Sequence, residues 1–286
     1  GQIMFNAMSR AEIWLQDTLD QSLSIEDLAN HLGYSASQIR RQFRHCFNTS
    51  PSAYREQRRL ERAAVLLSLT PQNIAHIAIR CGYANHSSFS RAFQRRYQLT
   101  PRHYRQSLSS MRHLALPVKQ FTTTIEKSRP RQAVFTRVYK APNAISGLGN
   151  TSHHANHLPC FVAQLGHATP TVALPDLLAD KVDALEAGAK VRKSRTDIGL
   201  YLAHTANTEN LALPVAYRRI EIPAQHYAKT CFDDFDELSD ALTSTLLQLL
   251  NQQHRFHISG ESPRILWHPD HLELRVPLLR EATHIY

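Results

Sequence analysis

Arg41-Gln42-Phe43-Arg44-His45-Cys46-Phe47-Asn48-Thr49-Ser50-Pro51-Ser52-Ala53-Tyr54-Arg55 recurs fifty residues on as Arg91-Ala92-Phe93-Gln94-Arg95-Arg96-Tyr97-Gln98-Leu99-Thr100-Pro101-Arg102-His103-Tyr104-Arg105. Arginine, phenylalanine, proline and tyrosine keep the same offset throughout, which marks an internal duplication. Upstream of each copy the pattern gives a helix, a glycine turn and a second helix. The duplication therefore predicts two helix-turn-helix units in tandem, an arrangement suited to reading DNA.

Working outward, a first helix is expected from about Arg10 to Leu19, with Ile13, Trp14, Leu15 and Leu19 at helical spacing. Ser24 precedes Ile25-Glu26-Asp27, a hydroxyl cap followed by carboxylates at the positive end of a helix. Gly33 can end that helix in the left-handed region. Ser35 caps the next, whose Ile39 and Phe43 point inward and leave Ser37, Gln38, Arg40, Arg41 and Arg44 outside. The second unit follows the same plan: Asn73 caps Ile74 to Cys81, Gly82 turns, and Asn85 opens a helix with Phe89 and Phe93 inside. His86, Ser87, Ser90, Arg91 and Arg95 remain for DNA. Ser50 and Pro51 open a long connecting helix to about Leu67, with Tyr54, Ala63 and Leu66 or Leu67 packed and Arg55, Arg58, Arg59 and Arg62 along its surface. Arg41 and Arg91 have two readings, DNA contact or an internal ion pair.

The charge distribution agrees. The net charge of +9 is concentrated in residues 1–115, which hold fifteen arginines, no lysine and seven acidic groups, whereas the remainder holds eighteen basic against seventeen acidic. A guanidinium forks onto a phosphate or onto the O6/N7 edge of guanine. Two recognition helices on one chain would face successive major grooves about 34 Å apart. A single chain can then read a long asymmetric site, either by bending the duplex or by leaving one helix on the backbone.

The segment Cys81-Gly82-Tyr83-Ala84-Asn85-His86-Ser87-Ser88-Phe89-Ser90-Arg91-Ala92-Phe93, followed by Leu99-Thr100-Pro101-Arg102-His103-Tyr104-Arg105, resembles the signature of AraC/XylS transcription regulators, and Leu23 to Phe43 resembles their first helix-turn-helix. The likeness covers about residues 7 to 108. It implies promoter DNA as partner, both recognition helices as the reading surface, and recruitment of RNA polymerase as an activator. Ser37 stands where some members carry tryptophan, which implies a different preferred sequence.

The domains expected are a tandem helix-turn-helix domain over 7–110, a linker over 111–124 marked by Pro117 and Thr122-Thr123-Thr124, and an α+β domain over 125–286. Beyond the linker the periodicity alternates. Strands are expected at Ala133–Tyr139, Ile198–Ala203, Ala216–Ile222, Tyr227–Phe232, Ile265–Trp267 and Leu272–Leu278, with a helix over Asp236–Asn251; residues 141–196 follow no pattern. Tyr217 to Phe232, the acidic-start helix and Leu272 to Leu278 resemble the later half of a GyrI-like effector domain, whose antiparallel strands and helices hold amphipathic small molecules. That resemblance implies a small-molecule effector and a pocket wall drawn from Tyr139, Phe161, Tyr201, Tyr227 and Trp267. Such domains answer a cationic ligand with a buried glutamate, but Arg264-Ile265-Leu266-Trp267 is apolar there, which argues against a cation.

Other chemistry is thinly supported. His153, His154, His157 and Cys160 crowd together, but Pro159 interrupts any helix and loop histidines are usually solvated, so neither a metal site nor a cofactor is expected. No Ser-His-Asp or paired-acid spacing stands out, so an enzyme is not expected. The readings left beside an effector-sensing regulator are an architectural DNA-binding protein and a hydrolase-like GyrI-type domain with Glu221 or Glu261 poised in a cleft. The four cysteines, Cys46, Cys81, Cys160 and Cys231, contain no close pair, which favours reduced thiols and a cytoplasmic location. No apolar run approaches the roughly 20 residues of a membrane span, and no leader pattern opens the sequence.

Overall fold

A computed structural model describes residues 2–109, 119, 121–139, 158–162, 195–202, 216–251 and 255–280, apart from the side chains of 2, 108, 109, 158–162, 251 and 280. The expectations at Pro117, His153, His154 and His157, and for the side chains of Cys160 and Phe161, lie outside the described residues. The chain divides into two compact units, Gly1–Ala115 and Leu116–Tyr286.

The first unit is helical: α1 Gln2–Asp17, α2 Ile25–Leu32, α3 Ala36–Phe47, α4 Pro51–Leu69, α5 Ile74–Arg80, α6 His86–Tyr97 and α7 Pro101–Ser109. α1 begins eight residues before the expected start because Ala7, Met8 and Ala11 extend the stripe of Leu15 one turn after another, all fully buried. The starts of α2 and α3 are capping boxes, Ser24 with Asp27 and Ser35 with Gln38. Each recognition helix ends on a non-glycine residue in the left-handed region, Asn48 at φ 56° and Gln98 at φ 62°, so the fifty-residue repeat extends to the backbone.

Side-chain packing repeats as well. Phe43 meets Tyr54 edge-on at 5.4 Å, as Phe93 meets Tyr104 at 5.2 Å. Phe43 also lies 4.7 Å from Phe47, as Phe93 lies 4.6 Å from Tyr97. Phe43, Tyr54 and Phe93 are thus buried core residues, with Phe47, Tyr97 and Tyr104 half-buried against them, and full burial of such a ring contributes on the order of 2 kcal/mol.

The second unit is α+β. Its strands are β1 Thr123–Lys127, β2 Arg131–Val138, β3 Leu158–Val162, β4 Thr196–Tyr201, β5 Tyr217–Ile222, β6 His226–Phe232, β7 Phe256–Ile258, β8 Arg264–Trp267 and β9 Leu272–Arg280. A 3-10 turn at Phe235–Glu237 leads into α8, Leu238–Asn251. Among the described residues the strands form one antiparallel sheet in the order β1-β6-β9-β8-β3-β4-β2-β5, with β7 also on β9. β1 begins inside the stretch expected to be linker, because its threonines pair with β6: Thr123 stands opposite Thr230, and their hydroxyls bond at 2.7 Å.

Pairing register sorts the sheet into two faces. One carries Ile125, Ala228, Leu274, Val276, Ile265, Ile198 and Val134. α8 covers this face at β6, where Thr245 and Thr230 join hydroxyls at 2.6 Å. The other carries Glu126, Tyr227, Lys229, Cys231, Glu273, Arg275, Tyr201, Asp197 and Arg137.

Candidate nucleic-acid interface

All five polar positions singled out on the first recognition helix are exposed: Ser37, Gln38, Arg40, Arg41 and Arg44. Gln38 spends its carbonyl oxygen on the cap, accepting from the Ser35 N–H at 3.0 Å, which leaves its NH2 group to donate outward. Arg40 Nη2 reaches Glu26 Oε1 at 3.1 Å with both side chains more than half exposed. Such a surface pair contributes about 0–1 kcal/mol, so a phosphate or a guanine can replace it.

On the second helix His86, Ser87, Arg91 and Arg95 are exposed and Ser90 is half-buried. His86 Nδ1 and Ser90 Oγ lie 3.4 Å apart one turn along, and Arg95 reaches Glu56 of α4 at 3.7 Å. Among the described residues no ion pair engages Arg41 or Arg91, so the internal-pair reading has no contact behind it. Asn85 caps α6 by accepting from the Ser88 N–H at 2.8 Å.

The arginines of α4 need correction. Expected on its surface, three of them turn inward. Arg58 is buried, with Nη2 on Glu61 at 2.9 Å and its guanidinium over the Tyr54 ring at 5.0 Å. Arg59 donates through Nε to Leu19 O at 2.8 Å and through Nη2 to Gln21 O at 2.9 Å. Arg55 donates to Leu23 O, and Arg105, its counterpart in the repeat, donates to Leu67 O at 3.1 Å and Thr70 O at 3.2 Å. Both bind carbonyls ahead of the first helix of a helix-turn-helix, where backbone acceptors otherwise lack partners. The invariant offset was the signal for this shared structural role.

Gly82, at φ +84°, ties the second helix-turn-helix to the first within the helical unit. A Cβ there would stand 2.0 Å from Leu19 O and 2.6 Å from Arg59 Nε, so the second turn sits directly on the connection after α1. Gly33, at φ +77°, has nothing within 4 Å of that position. The relative placement of the reading helices is therefore set by packing through α4 and Arg59.

A helix-turn-helix domain family model matches residues 28–107. The regulatory protein SoxS of Escherichia coli is 39% identical over 95 residues, a match covering 33% of this chain and 89% of SoxS. The chain belongs to the AraC/XylS family. The transcriptional regulator Rob of Salmonella typhimurium is 38% identical over 95 residues, 33% of each chain, so the match spans about a third of that relative. An AraC-type regulator from Chromobacterium violaceum of known structure is 30% identical, covering 36% of this chain and 92% of that one, with a TM-score of 0.34. This AraC/XylS member is thus a helix-turn-helix DNA-binding transcription regulator, and the relatives named are regulators rather than enzymes.

In the second unit of this AraC/XylS chain the aromatic candidates do not all gather. Tyr201 and Tyr227 share the face that carries the charged groups, Tyr201 within a buried apolar cluster with Ala133, Phe135, Ile222 and Leu266 and under the Arg131 guanidinium at 5.2 Å, and Tyr227 under Arg275 at 4.4 Å. The Tyr227 hydroxyl donates to Glu126 Oε2 at 3.0 Å; burial pushes it up to about 12, against the pull of Arg275. Tyr139 is buried 5.7 Å beneath Arg195. Trp267 lies on the opposite face, edge-on to Phe235 at 5.5 Å. Phe161 pairs with Ile198 and Ile265 in β3.

The charged groups of the polar face escaped sequence reading. Asp197 is buried between Arg137, at 2.8 and 3.0 Å, and Arg218 at 3.3 Å. Burial works against its charge, but the two guanidinium groups prevail and hold it at about 2. Arg264–Trp267 lacks a carboxylate, as the sequence indicates; the neighbouring strand supplies one in Glu273, buried opposite Leu266 and bound by Arg275. Period-two alternation marks which residues share a face, but it cannot tell that strands far apart in sequence will be neighbours. No described helix is long and apolar enough to cross a membrane.

Proposed function

We propose that this regulator reads a long, asymmetric promoter site through Ser37, Gln38, Arg40, Arg41 and Arg44 on one recognition helix and His86, Ser87, Ser90, Arg91 and Arg95 on the other. The observation that carries this is a division within the repeat. The aromatics and Arg55/Arg105 recur because they build the core, whereas exposed positions diverge: Arg40 is matched by Ser90, Arg44 by Gln94 and His45 by Arg95. Two pairs keep both exposure and identity on the reading faces, Ser37 with Ser87 and Arg41 with Arg91, and the arginine pair suits a shared phosphate or guanine contact. Two different side-chain sets read two different half-sites.

The family resemblance supports recruitment of RNA polymerase and activation, over a domain layout of 7–110, 111–124 and 125–286. The polar sheet face, with Tyr201, Tyr227 and their arginines, supports a GyrI-like sensing role for the second unit, with a small-molecule effector. Selection from a random duplex pool with the full chain, then footprinting and run-off transcription, tests the reading. The expected result is a site with unlike halves one helical turn apart, and transcription raised from it. Binding with no preference over bulk competitor at moderate ionic strength refutes it.

A further inference from the structure

The β8–β9 hairpin and β6 bring together three donor groups that the sequence keeps about forty residues apart. Cys231 Sγ, a ring nitrogen of His271 and a carboxylate oxygen of Glu273 all lie within 4.8 Å of one another. Cys231 and Glu273 stand directly opposite each other in the β6–β9 pair, and His271 is the last residue of the turn before β9. We infer that Cys231, His271 and Glu273 form a binding site for a divalent transition metal ion of the zinc type.

Thiolate, imidazole and carboxylate together suit a borderline-soft cation rather than magnesium or calcium, which prefer oxygen alone. The surroundings hold the donors in place. His271 Nδ1 is 2.8 Å from Asp270 Oδ1; a proton held there leaves the Nε2 lone pair for the metal, the carboxylate–imidazole–metal arrangement common in zinc proteins. The turn is closed by the His268 N–H donating to His271 O at 3.0 Å, and the two imidazoles stack at 4.4 Å, 12° from parallel. His268 Nε2 meets Glu273 Oε1 at 3.1 Å and acts as a positioning residue for that carboxylate.

Two cations border the site, Arg275 on Glu273 Oε2 and Lys229 at 3.8 Å from Oε1. An ionised carboxylate has about four lone-pair directions, so Glu273 can keep Arg275 on one oxygen and offer the other to a metal. Cys231 is a free, exposed thiol and Glu273 is buried, so the site opens to solvent on its sulfur side. Three protein donors leave a fourth position for water or an exchangeable ligand. Metal would cross-link β6 to the hairpin end, and the inference is independent of how the helical unit reads DNA.

The test uses the full chain, stripped with a chelator and titrated with Co2+ while the thiolate-to-cobalt absorption is followed, then with Zn2+ as competitor. The expected result is a band that saturates near one equivalent and is bleached by Zn2+. Cys231→Ser abolishes the band, and Asp270→Asn, which keeps every ligand, weakens binding roughly tenfold. Replacing His153, His154 and His157 by Asn leaves the band in place, and far-UV circular dichroism of the variants stays that of the parent. Absence of the band, or its survival in Cys231→Ser, overturns the inference, the second result assigning the thiolate to another cysteine.

Discussion

Replacing Gly82 by alanine probes the joint on which tandem reading depends. At φ +84° an L side chain carries a left-handed penalty of about 1–2 kcal/mol. The new methyl would also stand 2.0 Å from Leu19 O and 2.6 Å from Arg59 Nε, and the first of these is backbone that cannot swing aside. Relief requires parting Arg59 from Leu19 O, a charge-assisted bond of 2.8 Å that contributes roughly 1.5–3 kcal/mol. The sum for Gly82→Ala is about 2.5–5 kcal/mol. Gly33→Ala has the same backbone sign and open space around it, and should lose only about 1–2 kcal/mol. Urea unfolding followed by fluorescence separates them when done in a Trp267→Phe background, because Trp14 is then the sole tryptophan and reports the helical unit. Gly82→Ala should also lose more affinity for a complete DNA site than for either half alone. Equal destabilisation by the two substitutions refutes the claim that Gly82 is a packing joint.

Arg58→Ala removes one partner of a buried pair and should lower the stability of the helical unit by about 3–5 kcal/mol, while the salt dependence of DNA affinity stays that of the parent; a flattened salt slope would return Arg58 to the DNA surface. Arg40→Ala and His86→Ala should change which bases are selected at separate positions of the site, each at about 1–3 kcal/mol for a lost base contact, and equal losses on specific and random duplexes would count against both. For Asp197 the folded value is depressed to about 2, below the ordinary aspartate range. Its contribution is therefore present above about pH 4 and lost as pH falls through about 2, an effect of roughly 2 kcal/mol. Acid unfolding of the sheet unit should show that loss, and Asp197→Asn should remove it; an unchanged acid limb in the variant would argue against the Arg137–Asp197–Arg218 cluster.

Much of the helical unit was legible because its information is local. Ser24, Ser35, Ser50, Asn73 and Asn85 all cap the helices they precede, and the 3.6-residue period names Ile39, Phe43, Phe89 and Phe93 as core. Caps and periodicity act within one or two turns, so a linear reading captures them. The same reading placed Arg58 and Arg59 on a surface, since the partners that draw them inward, Tyr54 and Glu61 for one and the carbonyls of Leu19 and Gln21 for the other, are fixed by how α4 crosses its neighbours.

The sheet unit shows the opposite balance. Alternation located β2, β4, β5, β6, β8 and β9 to within about two residues at their starts, but β1 read as linker, β3 falls in the stretch 141–196 where no pattern is present, and β7 has only three residues. Sequence alone determined that this chain carries two reading units in tandem, because duplication leaves its mark at every repeated position. Only the tertiary structure decided that Cys231, His271 and Glu273 meet, that Asp197 lies between two arginines, and that Gly82 rests on Leu19. Strand order and helix crossing bring together residues far apart along the chain, and no local energy term records that proximity.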